Sequence, residues 1–218
     1  MIETFEDLHK AIGKYAGKPA VFRGVRDAEN HKLVTKLGRL KLKKDRVLVK
    51  EEAVILRLFK QQSRPYLDWI PIDDWEWLAL GQHYGLPTRL LDWTRNPLVA
   101  AFFAVEKEYS GESAIYIYRN DKFIRTDLET NPFKRERIGK FIPNHISRRI
   151  TAQAGLFTIH PNPDEEFQDS SVDKLIIAES ARKAIKKTLS SYGINRATLF
   201  PDLDGLAQHI EWLRSESY

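Results

Sequence analysis

With 218 residues, 42% hydrophobic and 30% charged, the chain holds enough apolar material for a well-buried core, which excludes wholesale disorder. The lack of cysteine excludes disulfides, thiolate catalysis and cysteine-ligated zinc, and fits a reducing, cytoplasmic setting. A formal net charge of +5 favours an anionic partner, nucleic acid or a phosphorylated ligand.

The opening stretch MIETFEDLHKAI is acidic and amphipathic, so no secretory signal is expected, and no apolar run nears the roughly 18 residues of a membrane span. Thr4 and Asp7 form a T-x-x-D capping pattern, and Phe5, Leu8, Ile12 and Tyr15 recur on one helical face until Gly17 and Pro19. Residues 20–25, AVFRGV, read as a strand with Val21, Arg23 and Val25 on one face and Ala20, Phe22 and Gly24 on the other. An arginine flanked by valines needs an anion, either a structural carboxylate or a ligand phosphate. Gly24 beside it leaves space for a ligand or a backbone to approach. Residues 31–46 are strongly basic with little periodicity, the pattern of a flexible or strand-poor connection: a solvated loop or a nucleic-acid contact. A helix over 47–62 follows, with Leu48, Ile55 and Phe59 as its inner stripe, widened by Ala53, Leu56 and Leu58.

The stretch from Trp75 to Phe103 organises the rest. Asp73 and Asp74 are N-cap candidates for a short helix carrying Trp77, Gly81 and Tyr84, which Gly85 stops and Pro87 leads out of. Asn96 and Pro97 are the N-cap and first turn of a second helix over 96–109, almost solidly apolar, with Ala100, Ala101 and Phe103 expected inside. The polar residues between two such helices must be satisfied internally or used on a ligand. His83 reads equally as a core histidine or as a catalytic group. If 87–93 is extended, Thr88 and Asp92 share a face and Arg89 points away. If it is a helical turn, Arg89 and Asp92 are neighbours that pair. Trp69, Trp75, Trp77 and Trp93 default to the core, with one free to line a base or nicotinamide pocket.

Beyond this stretch the periodicity changes to two. Strands are predicted at 113–119, at the end of the basic run 134–142, at 156–159 and at 173–178, followed by a helix over 180–192 ended by Gly193. A last amphipathic helix carries Leu206, Ile210 and Leu213 on its apolar face. The six histidines lack metal-ligand spacing, and no metal site is expected. One α+β domain over 1–218 results, helices dominating the first half and strands the second.

Phe22-Arg23-Gly24, GQHYGLPTRLLDWT at 81–94, AQAGLFTIHP at 152–161 and LFPDLDGLA at 199–207 together resemble the FRG domain family, over essentially the whole chain. The opening helix and arginine-bearing strand also resemble ADP-ribosyltransferases, in which such an arginine meets the phosphates of NAD. This second resemblance implies a helix-rich N-terminal half packed on a mainly antiparallel, ADP-ribosyltransferase-like sheet, with NAD as co-substrate. It implies Arg23, Gly24, Tyr84, Thr88 and Arg89 as cofactor-binding residues, with Tyr84 or Phe157 against the nicotinamide. The glutamate usual on a late strand is missing at Gln153-Ala154-Gly155, so His83, Asp92 or Gln153 would take its catalytic place. The implied activity is ADP-ribosyl transfer to nucleic acid or another polar acceptor, as a toxin or defence effector. A noncatalytic nucleic-acid or nucleotide-binding module is the alternative.

Overall fold

The computed structural model describes residues 1–144 and 147–215. Its centre is a six-stranded sheet built from β1 (Ala20–Val25), β2 (Leu90–Thr94), β3 (Ser113–Arg119), β4 (Gly139–Phe141), β5 (Gly155–Ile159) and β6 (Val172–Ile177). The strands lie in the order β4-β5-β2-β1-β3-β6, and every neighbouring pair is antiparallel. The helices are α1 (Phe5–Gly13), α2 (Leu48–Gln62), α3 (Asp74–His83), α4 (Pro97–Val105), α5 (Arg148–Ala152), α6 (Arg182–Ser191), α7 (Arg196–Leu199) and α8 (Leu203–Arg214). The fold is α+β, and among the described residues no helix is long and apolar enough to cross a membrane.

Cap chemistry sets the helix starts. Thr4 and Asp7 close a reciprocal capping box on α1, Asp73 accepts from the Glu76 N–H at α3, and Asn96 accepts from the Leu98 N–H above Pro97 at α4. Gly85 ends the α3 region with φ +81°, a left-handed value that a side chain would strain.

Register pairs place Phe22, Thr94, Asp92, Leu90 and Phe157 on one face of the sheet. Two groups of helices share that face. α1, α4 and α6 bury Phe22, Ile115, Ile117 and Ile177, while α2, α3 and α5 bury Leu90, Phe141, Phe157 and Ile159. The opposite face, with Val21, Leu91, Trp93, Tyr116 and Leu156, is covered by the segment after β1 through Leu33 and by Phe167. The sheet is split at its middle. β1 meets β2 at a single register pair, Phe22 with Thr94, whereas β1 and β3 share six. α4 lies close on β1 because Gly24 faces it: a Cβ there would come within 1.8 Å of the Ala100 carbonyl oxygen.

Several expectations need correction. The basic stretch 31–46 has no strand, but Leu33, Thr35 and Leu37 are buried and Thr35 Oγ1 donates to the Pro163 carbonyl at 2.8 Å, which pins it. α2 turns Glu52 and Leu56 inward and leaves Ala53 and Leu58 exposed, because Glu52 has a buried cationic partner. α4 ends at Val105, and Phe103 is only half-buried: it packs on Phe102 and Phe200 and faces a cleft. Trp75, Trp77 and Trp93 are core, but Trp69 is exposed. Leu206, Ile210 and Leu213 of α8 are also exposed, since α8 packs through Gly205 against Phe200.

Candidate functional site

The split between β1 and β2 opens into a cleft of about 880 Å³, bounded by the two helical groups and the 30–39 segment. Cofactor-sized sites fall at roughly 300–1,000 Å³. Arg23 stands at the split. Its Nη1 donates to the Asp92 carbonyl oxygen at 2.7 Å and lies 3.4 Å from Asp92 Oδ2. Asp92 Oδ2 also accepts from Gln82 Nε2 at 2.9 Å. Gln82 Oε1 accepts from the Thr88 hydroxyl at 2.6 Å, and the Thr88 oxygen accepts from the Leu90 N–H at 3.2 Å. This relay gives the 81–94 motif a physical logic: Thr88 orients Gln82, and Gln82 orients Asp92.

Arg23, Asp92, His83, Tyr84, Gly24 and Gln153 all line the cleft. Thr88 and Arg89 are not brought to it. Both are buried behind its wall, Arg89 donating from Nε to Glu52 Oε1 at 2.8 Å and from Nη2 to Oε2, with Phe133 beneath its guanidinium. The pairing of Arg89 with Asp92 does not form: Arg89 lies in the bend just before β2 and pairs with Glu52, whereas Asp92, within the extended strand, meets Arg23. Gly24 makes room for α4. The Gln153 side chain is engaged, its Nε2 donating to the Leu199 carbonyl at 3.0 Å, and its own carbonyl accepts from Thr94 Oγ1 at 2.6 Å. Tyr84 is exposed at the rim with its ring edge-on to His83.

Sequence reasoning missed most of the site's charge. Among the described residues the lining carries Arg23, Arg26, Lys32, Arg39, Lys107 and Arg149 against two carboxylates, Asp92 and Glu106, and Glu106 is paired with Arg196. Arg39 is held below its ordinary pKa by desolvation and then by the Arg23 charge. Desolvation lowers Arg149 as well. His83 is lowered by desolvation and then by Arg149, and His31 chiefly by desolvation, so both imidazoles are neutral at neutral pH. Mutually repelling cations in a partly desolvated cleft are what an anionic ligand relieves. Among the described residues no group of three or more His, Asp or Glu could hold a metal ion.

Residues 18–113 match the family model of the FRG domain. That stretch is similar to the FRG domain. The match takes in Arg23, Arg39, Gln82, His83 and Asp92, and ends before Arg149 and Gln153, which complete the cleft from the other half of the chain. No curated protein and no solved structure matches the chain.

Proposed function

We propose that this cleft binds NAD and transfers its ADP-ribose to a polar acceptor. The observation that carries the reading is Arg23 at the split of the sheet, beside Asp92 and within a cleft dominated by cations. The donor chemistry fits a pyrophosphate: guanidinium groups offer planar, forked donors to phosphate oxygens, and the cleft supplies several. NAD supplies a ribosyl carbon bonded to nicotinamide, and breaking that bond develops positive charge on the ribose. Asp92 is the lining carboxylate suited to stabilise that charge, because Gln82 holds it in place while it stays open to solvent on one side. His83, neutral and within the same cleft, is suited to take the proton of the incoming acceptor.

Calorimetry with NAD and a nicotinamide-release assay test this. Arg23→Ala should weaken binding and turnover together, since a phosphate clamp acts in both ground and transition states. Asp92→Asn should lower turnover by about 10²–10³ with NAD affinity largely kept. No NAD binding by the unaltered protein, or unchanged release in Asp92→Asn, overturns the assignment. The engaged Gln153 side chain and the missing glutamate favour a second reading, in which the cleft only recognises a nucleotide or nucleic acid. NAD binding without nicotinamide release would select it.

A further inference from the structure

A second cavity of about 190 Å³ adjoins the cleft, and its walls include Tyr66, Trp69, Leu80 and Ser147. His83 and Tyr84 line both cavities. The smaller one is on the scale of a single nucleobase, far below what a second dinucleotide needs. The rings around it are turned to water: Tyr66 is 86% exposed, Tyr84 70% and Trp69 37%. Large rings left exposed forgo the stabilisation of burial, so a cluster of them beside a binding cleft marks a surface for contact.

The other side of Tyr84 is basic. Lys36 Nζ donates to the Gly85 carbonyl, which fastens the turn after α3 to the cationic segment. That segment sends Arg39 into the cleft and continues through the exposed Lys41, Lys43 and Lys44. Exposed aromatic faces next to a cationic track are the two components of single-stranded nucleic-acid sites, the rings stacking bases and the cations following the phosphates. A stacked duplex hides its bases from a pocket of this kind.

We propose that this lip receives single-stranded nucleic acid as the acceptor, with one base unstacked into the small cavity against Trp69 and Tyr84 and the backbone along Lys36–Lys44. The assignment rests on the NAD reading above and names the acceptor class of the same site. The base then comes beside His83, which borders both the small cavity and the cleft. Transfer forms a bond from a base nitrogen to the anomeric ribose carbon as the carbon–nitrogen bond to nicotinamide breaks, its electron pair leaving with nicotinamide. The proton lost by the base passes to His83, whose Nδ1 lies 3.5 Å from Ser147 Oγ.

The test is fluorescence anisotropy with labelled single strands of about 20 nucleotides, DNA and RNA, against the same sequences as duplexes. Single strands should bind more tightly than duplexes, with affinity falling as salt rises. Trp69→Ala should lower single-strand affinity about 5- to 150-fold, the range for loss of one stacking ring. NAD affinity in that variant should be unchanged, because Trp69 does not line the cleft. Tyr66→Ala is a second exposed substitution that leaves the fold intact and should act in the same direction. Equal affinity for duplex and single strand, or full single-strand affinity in both variants, overturns the proposal. So does NAD turnover that labels protein while strands go unbound, an outcome that leaves the transfer reading standing. Strand binding without NAD binding overturns the transfer reading and supports the docking surface.

Discussion

Arg89 and Arg23 each meet one carboxylate, and both pairs draw on the 81–94 motif, but they are built on opposite terms. Arg89 and Glu52 are 5% and 3% exposed in their side chains, joined by two donors and backed by Phe133. Arg23 and Asp92 are 22% and 55% exposed, and their side chains approach at a single 3.4 Å contact. The first pair is enclosed by protein on both partners, and the second stays partly open to solvent. A buried, two-point pair fixes how α2 sits against the sheet, whereas a half-open pair leaves a guanidinium able to exchange its partner for a ligand.

The widest separation between them should come from unpairing each in turn. Glu52→Ala leaves the Arg89 guanidinium buried without its anion, and breaking a buried pair from one side costs about 3–5 kcal/mol. The urea midpoint should fall accordingly. Replacing both partners, Glu52→Leu with Arg89→Met, should recover much of that loss, since no buried charge is left unpaired. A midpoint in Glu52→Ala within experimental error of the parent would mean water reaches Arg89 and the contrast between the pairs is smaller than drawn.

This contrast marks how far the sequence could be read. Thr4, Asp73, Asn96 and Pro97 announce their helices because capping is local chemistry, legible within four residues. The valines beside Arg23 correctly required an anion for it, but strand alternation cannot say which one, and Asp92 is 69 positions away. Arg89 fails for the same reason in reverse: nothing near it in sequence points to Glu52 on α2, whose apolar neighbours drew the predicted stripe elsewhere. Arg39 sat inside a run that reads as solvated lysine and arginine. Only the burial of Leu33 and Leu37, a tertiary event, turns it toward the cleft. The split between β1 and β2 has no sequence signature at all.

The buried side of the molecule should also show itself in acid. His160 is buried on the sheet face opposite the helices, its Nε2 2.8 Å from Thr158 Oγ1, which also accepts from Trp93 Nε1 at 2.9 Å. Burial and then the Arg23 charge push its pKa down from 6.5 to about 3. In the unfolded chain the imidazole takes up a proton below about 6.5, whereas in the folded protein it stays neutral until about 3. The unfolded state therefore binds more protons within that window, and stability falls as pH drops through it, by up to about 1.4 kcal/mol per pH unit from this group. Above the window the contribution is flat. His160→Gln should shallow the slope of urea-derived stability between pH 6 and about 4, and a slope unchanged by the substitution would remove His160 from the account. His83 is shifted in the same direction but is only half-buried, so its share of the slope is smaller.

The smallest expected effect is the one that most sharpens the contrast. Arg23→Ala removes one 2.7 Å hydrogen bond to the Asp92 carbonyl and a loose, half-exposed ion pair, and exposed pairs contribute about 0–1 kcal/mol. It also removes a charge that repels Arg39, which offsets part of the loss. Stability without ligand should therefore change by no more than about 1 kcal/mol, several-fold less than for Glu52→Ala. Pyrophosphate reveals the difference in purpose. An anion that binds the folded cleft raises stability by mass action, so thermal unfolding of the parent should shift upward as pyrophosphate is titrated in. Glu52→Ala, though less stable, should keep an upward shift, because its lesion lies behind the cleft wall. Arg23→Ala should lose most of the shift while starting from nearly the parental midpoint. An equal pyrophosphate shift in Arg23→Ala and the parent would hand the anion to Arg39 or Arg149 and reduce Arg23 to a second structural arginine.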